Sequence, residues 1–205
     1  TMDECIGRVL QHLKQEGLEE NTIVIFQSDH GHSMEQRTFG AGGSAGPYRG
    51  AKFSLFEGGI RVPAIISWPS KLPAGAVRDQ VAIATDWLPT IAELCQVQLP
   101  QSSIDGKSLV QVVQSADAPS PHRVLHWQSG RGKGGPQWAV RSGPWKLIGN
   151  PNDTSNAAPI TANDRLFLSN LDQDVGEMKN IAGEHPDVVK ELQKLHEAWL
   201  QDVER

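Results

Sequence analysis

The chain has 205 residues, a formal net charge of -5, and 38% hydrophobic residues. The acidic balance excludes a phosphate-backbone binder, which needs a basic face, and the apolar share excludes a disordered chain. No apolar run reaches the roughly 18 residues that a membrane-spanning helix needs.

The opening TMDECIGRVLQHLKQEG carries early acids and no apolar h-region, so it is not a signal peptide. It reads as the interior of a longer protein, which leaves any targeting signal out of view. Within it Met2, Cys5, Ile6, Val9, Leu10 and Leu13 fall at spacings of three and four. That spacing predicts an amphipathic helix over 2–16 with Gly17 as its cap, and it makes Cys5 a core thiol. The run TIVIF (22–26) is β-branched and lacks polar alternation, as in a parallel strand covered on both faces. It ends in SDHGHS (28–33), and the carboxyl end of such a strand is where α/β sheets place ligands.

A glycine-rich stretch over 34–59 has no periodicity, which inside a compact domain marks a functional segment. VPAII (62–66) predicts a second strand, with Pro63 suited to an edge or a strand start. TDWLPTIAELC (85–95) predicts a helix with Thr85 as N-cap and Pro89 tolerated near its first turn. A softer region over 97–121 suggests a boundary, dividing the chain into 1–120 and 121–205. Beyond it RVLHWQ, WAVRS, WKLIG and RLFLSNL read as an antiparallel meander, with a tight hairpin at SGP (142–144). A closing helix over 187–203 presents Val188, Leu192, Leu195, Trp199 and Val203 as one stripe.

Three features carry chemistry. Asp29 and His30 at a strand end can both reach one metal ion; the bland alternative is a turn cap with surface histidines. Lys52, in a glycine-rich loop, either meets an anionic group or is simply solvated, and Arg49 and Arg61 share that ambiguity. GPYRGAKF fails the P-loop spacing, so nucleotide binding is unsupported. Glu57, before two glycines, reads as a buried hydrogen-bonding anchor. Trp127, Trp138 and Trp145 suit core packing better than a sugar platform, and His122, His126, His185 and His196 read as structural or exposed.

The segments NTIVIFQSDHG (21–31), PYRGAKFSLFEGGIRVPAIISWPSKLPAG (47–75) and ATDWLPTIAEL (84–94) resemble the type I sulfatases of the alkaline phosphatase superfamily. WAVRSGPWKLI (138–148) and LFLSNLDQDVGEMKNIA (166–182) extend that resemblance to the C-terminal portion of the family. The resemblance implies an α/β fold: part of an alkaline-phosphatase-like sheet flanked by helices, then a small subdomain of antiparallel strands plus a helix. It implies hydrolysis of a small-molecule or carbohydrate sulfate ester by a formylglycine made from Cys or Ser in a Cys-x-Pro/Ala-x-Arg motif. It also implies a calcium ion, with zinc or magnesium as lesser candidates, for which Asp29 and His30 match the later ligand pair. Lys52 matches the lysine on the sulfate or leaving-group oxygen, with His32 and Arg49 beside it at the substrate. Neither Cys5 in CIGR nor Cys95 in LCQVQ has the nucleophile spacing, so that segment and the early aspartates are expected upstream. Many relatives are exported, which makes a periplasmic or secreted location consistent with the resemblance. Two readings compete: a metal-dependent phosphomonoester or phosphonate hydrolase of the same superfamily, and a non-catalytic truncated module. A surface left bare by a missing half would favour self-association.

Overall fold

The structure is a computed structural model that describes residues 1–36, 39, 42–100, 103–132 and 135–203. In chain order its elements are α1 (Met2–Gln15), β1 (Val24–Gln27), α2 (Glu57–Ile60), β2 (Ala64–Ser67), α3 (Trp87–Leu94) and α4 (Val110–Gln114). They continue with β3 (Val124–Gly132), β4 (Gly135–Ser142), β5 (Trp145–Gly149), β6 (Leu166–Asn170) and α5 (Pro186–Val203). The fold is α/β with an antiparallel C-terminal sheet and a C-terminal helix, as the sequence implies. No helix among the described residues is long and apolar enough to cross a membrane.

The chain divides into two compact units, Thr1–Phe26 with Ala64–His122, and Gln27–Pro63 with Arg123–Arg205. In this division residues 27–63 group with the C-terminal sheet, and not with the rest of the 1–120 segment named from the sequence.

In the first unit α1 opens on a capping box, in which the Thr1 hydroxyl accepts from the Glu4 amide and the Glu4 carboxylate reaches back. It closes as the Gly17 and Leu18 amides return to the Lys14 and Leu13 carbonyls. None of its residues is buried, so Cys5 is an exposed thiol and not the core residue its periodicity suggests. Strand β1 pairs with β2, and neither is buried on both faces within this chain. The helix over 85–95 begins differently from expectation. A 3-10 turn over Ala84–Asp86 precedes α3, and it is Asp86, not Thr85, whose carboxylate accepts from a backbone amide, that of Ile83 at 2.8 Å. That buried carboxylate also accepts from the Lys107 amide and faces His122 Nε2, each at 2.8 Å.

The second unit holds the larger core. Strands β3 to β6 form an antiparallel meander in sequence order. The two-residue turn between β4 and β5 places Gly143 at a φ of 56°, which only glycine adopts cheaply at the first central position. The strands are apolar on both faces. Ala139, Ile148 and Phe167 pack with Leu55 and Phe56 of the segment before α2. Val140, Leu147 and Leu168 pack on Val189 and Leu192 of α5. Partly buried Trp138 and Trp145 join the α5 side, and Trp127 joins the other, so these tryptophans serve the core.

Candidate functional site

Backbone bonds tie residues 28–32 to residues 49–59, and this brings the chemistry-bearing segments together. The Gly31 amide donates to the Gly59 carbonyl at 2.9 Å, and the Lys52 amide donates to the His32 carbonyl at 2.9 Å. A Cβ at position 31 would lie 1.9 Å from the Gly58 carbonyl oxygen, so only glycine permits this approach. The Asp29–His32 turn is therefore laid directly on α2 and is tied to Lys52 through the His32 carbonyl.

Asp29 is exposed, with 81% of its side chain accessible, and its Oδ2 lies 2.9 Å from His30 Nε2. His30 Nδ1 lies 2.7 Å from the Gly31 carbonyl oxygen. That oxygen can only accept, so Nδ1 carries a proton. In the neutral ring Nε2 then presents a lone pair to the Asp29 carboxylate. Two acceptors at that separation require a shared proton or a shared cation. The pair thus fits part of a metal site, and the Nδ1 bond is the kind that fixes a ligating imidazole. Among the described residues no cluster of three or more His, Cys, Asp or Glu completes it.

The Lys52 ammonium is 3.2 Å from Glu35 Oε2, with 21% of its side chain exposed, and lies 5.0 Å from the Phe53 ring centroid. Ser33 Oγ donates to the same Glu35 oxygen. His32 has a buried Nδ1 with no hydrogen-bond partner among the described residues. Glu35 was invisible in the sequence as a site residue, since a carboxylate in an aperiodic loop gives no signal of its partner.

Arg49 needs correction as a substrate-binding residue. It is buried, its Nε donates to Asp153 at 2.7 Å, and its other nitrogens donate to the Glu177 and Ala158 carbonyls at 2.9 and 2.8 Å. The guanidinium also sits 4.2 Å over Phe56. Its donors are committed inside the protein.

Beneath the site Glu57 is the buried anchor that its place before two glycines suggested. Lys146 Nζ donates to its Oε1 at 2.8 Å, and Arg141 lies 3.5 Å from Oε2. Burial pushes the Glu57 carboxyl up, but Lys146, Arg141 and Arg61 together bring it below the usual carboxylate range. Glu177, whose carboxylate accepts from the Glu57 amide at 2.6 Å, is held above that range, chiefly by burial.

Comparison with known proteins decides the family. A sulfatase family model matches residues 1–97, and the model for the C-terminal region of N-sulphoglucosamine sulphohydrolase matches residues 50–204. The chain belongs to the sulfatase family. Human arylsulfatase D is 40% identical to this sulfatase chain over 152 residues, which cover 71% of the chain and 26% of that protein. Mouse steryl-sulfatase is 32% identical over 206 residues, covering 89% of the chain and 32% of that protein. A solved Bacteroides thetaiotaomicron structure, from work on glycosaminoglycan metabolism, superposes with a TM-score of 0.69 at 27% identity. That match covers 96% of the sulfatase chain and 42% of the solved one. The chain thus spans about a quarter to a third of the length of the two curated relatives.

Proposed function

We propose that this chain supplies the later half of a sulfatase active site, and that the full-length protein hydrolyses sulfate monoesters. The observation that carries the reading is the hydrogen bond from the Lys52 amide to the His32 carbonyl. It joins a cationic side chain to the turn bearing the Asp29–His30 pair, inside a segment that matches the sulfatase model. Family membership goes with a metal cofactor in general; calcium is the finer proposal. Asp29 would offer carboxylate oxygen to it and His30 the Nε2 lone pair. The remaining oxygens that calcium takes, six to eight in all, would come from elsewhere in the protein. A bound divalent ion would neutralise sulfate charge. The imidazole is the one feature that favours zinc over calcium, and metal analysis of the purified full-length protein separates them.

Lys52 holds the anion in this reading. Its ammonium is kept in place by Glu35 at 3.2 Å and is partly shielded from water, where a positive charge stabilises developing negative charge best. His32 lines the same turn with an unspent ring nitrogen, and we assign it to the substrate side. The nucleophile, a formylglycine by family resemblance, lies outside these residues. In the full-length protein Lys52→Met is expected to lower kcat/KM for an aryl sulfate by about 100-fold or more. In the 205-residue chain the same change should weaken binding of inorganic sulfate, followed by NMR. An unchanged kcat/KM in Lys52→Met would remove the lysine from the mechanism.

A further inference from the structure

We propose that Asp153 is a positioning residue for Lys52, acting through Arg49 and through the strap formed by residues 152–155. The proposal rests on reading Lys52 as the anion-holding group. What it adds is the device that sets where that ammonium stands.

Lys52 sits in a turn with unusual backbone on both sides. Gly50 has a φ of 89° and Phe53, which is not a glycine, has a φ of 72°. A bulky residue in the left-handed region is strained and persists only where its surroundings over-determine it. The strap does this one bond at a time. The Gly50 amide donates to Ser155 Oγ at 3.0 Å, the Ala51 amide to Thr154 Oγ1 at 3.1 Å, and Ser54 Oγ to the Asn152 carbonyl at 2.8 Å. Every one of these bonds spans about a hundred positions of sequence, yet they fall on residues flanking Lys52.

Asp153 organises the strap itself. Its Oδ1 accepts from the Ser155 amide at 2.9 Å and from the Ser155 hydroxyl at 2.6 Å, and its Oδ2 accepts from the Ala157 amide at 3.0 Å. The same Oδ2 takes the Arg49 Nε–H at 2.7 Å, with 0% and 3% of the two side chains exposed. Arg49 is therefore the rivet between strap and turn. One carboxylate shapes the loop that holds the Gly50 and Ala51 amides and also fixes the residue three before Lys52. Deleting a partner from a buried pair strands the other charge, so the turn should loosen at Lys52 first.

The test reads Lys52 directly, in the intact chain and without sulfate. A limiting amine-acylating ester is applied and site-specific rates are followed by peptide mass spectrometry. In the parent, Lys52 should react more slowly than the exposed Lys14 and Lys190, and the fully buried Lys146 slowest of all. In Asp153→Asn the Lys52 rate is expected to rise about tenfold toward that of Lys14, while Lys146 stays protected, as for a local opening. A second variant, Thr154→Val with Ser155→Ala, leaves the Arg49–Asp153 pair in place and cuts two bonds to the turn. It should raise the Lys52 rate several-fold in the same direction, and it covers the case in which Asp153→Asn does not fold. An unchanged Lys52 rate in the folded variants overturns the proposal. So does a parallel rise at Lys52 and Lys146, which would mean general loosening. Failure of Lys52→Met to weaken sulfate binding would instead strike the reading of Lys52, and leave the labelling result standing.

Discussion

Lys146 is a lysine in the middle of a sheet with no exposed side-chain surface. Its Nζ lies 2.8 Å from Glu57 Oε1 and 3.2 Å from Glu177 Oε1, so one ammonium serves two buried carboxylates. Replacing it by methionine keeps the volume and takes the ammonium from both acids, leaving Glu57 with Arg141 and Arg61 alone. Lys146→Met should cost about 3–5 kcal/mol in urea unfolding. Combining it with Glu57→Gln should cost less than the sum of the two single changes, because the second removes a charge that the first deprived of its nearest partner. Strict additivity would deny the coupling. Glu57 and Glu177 act with opposite signs in pH, and the sign for Glu57 is definite. Its folded-state carboxyl lies below the ordinary 4.5, so its contribution is complete above that pH and is lost as pH falls through the folded value. Only part of this was legible in the sequence. Glu57 before two glycines reads as an anchor, but nothing in WKLIG marks Lys146 as its partner. Arg49 and Lys52, three positions apart in one motif, look alike as cations. What separates them is that the partners of Arg49 lie 104 to 128 residues further along the chain.

At the scale of elements, legibility follows how local the determining signal is. The hairpin at Gly143 and strand β5 lie where turn chemistry and apolar runs put them, because both signals act over a few residues. Helix α1 obeys its periodicity and still buries nothing, since periodicity names a face and not its partner. Helix α5 shows the intermediate case. Its buried residues are Val189, Leu192 and His196, so a histidine takes a place that the apolar stripe gave to Leu195 and Trp199. The His196 ring stacks on Trp138 at 4.1 Å, and His126 of β3 stacks on Trp199 at 5.1 Å. Both Nδ1 atoms are buried without hydrogen-bond partners among the described residues. Burial, with help from the neighbouring His196, pushes His126 down to about 4 from an ordinary 6.5. His196 is lowered too, by burial, against a small opposing pull from Glu197. The unfolded chain therefore binds more protons than the folded one between these values, and stability rises with pH across the window from about 4 to 6.5. The melting temperature should fall as pH is lowered from 6.5, and His126→Phe should flatten that slope while keeping the stack on Trp199. A parent melting temperature that stays level over this window would show that the histidine pair does not hold α5 to the sheet through its neutral form.

For the whole molecule, the question is how much of an active site one chain of this length carries. The second unit supplies a complete scaffold for its share: a core on both faces of the meander, a buried charge cluster under α2, and a strap over the Lys52 turn. The share itself is partial. In the reading proposed above, the Asp29–His30 pair would offer only one carboxylate and one imidazole to a calcium ion, which takes six to eight oxygens. Both cysteines are exposed, but Cys5 is followed by Ile6, Gly7 and Arg8, and Cys95 has no arginine within the next five positions. Neither exposed thiol has the spacing that the sulfatase resemblance implies for a formylglycine precursor. The 205-residue chain by itself is accordingly expected to release no product from a chromogenic aryl sulfate above the rate in buffer, with or without added calcium. This holds even if inorganic sulfate perturbs the Lys52 resonance, because holding an anion stabilises charge but provides no atom to attack sulfur. The two measurements therefore test different parts of one site. Sulfate bound at Lys52 without turnover is the pattern of a half-site that folds around its own share. Turnover in the isolated chain that Lys52→Met removes would mean that a nucleophile stands among residues assigned here to structure, and the division of labour proposed for the two halves would fall.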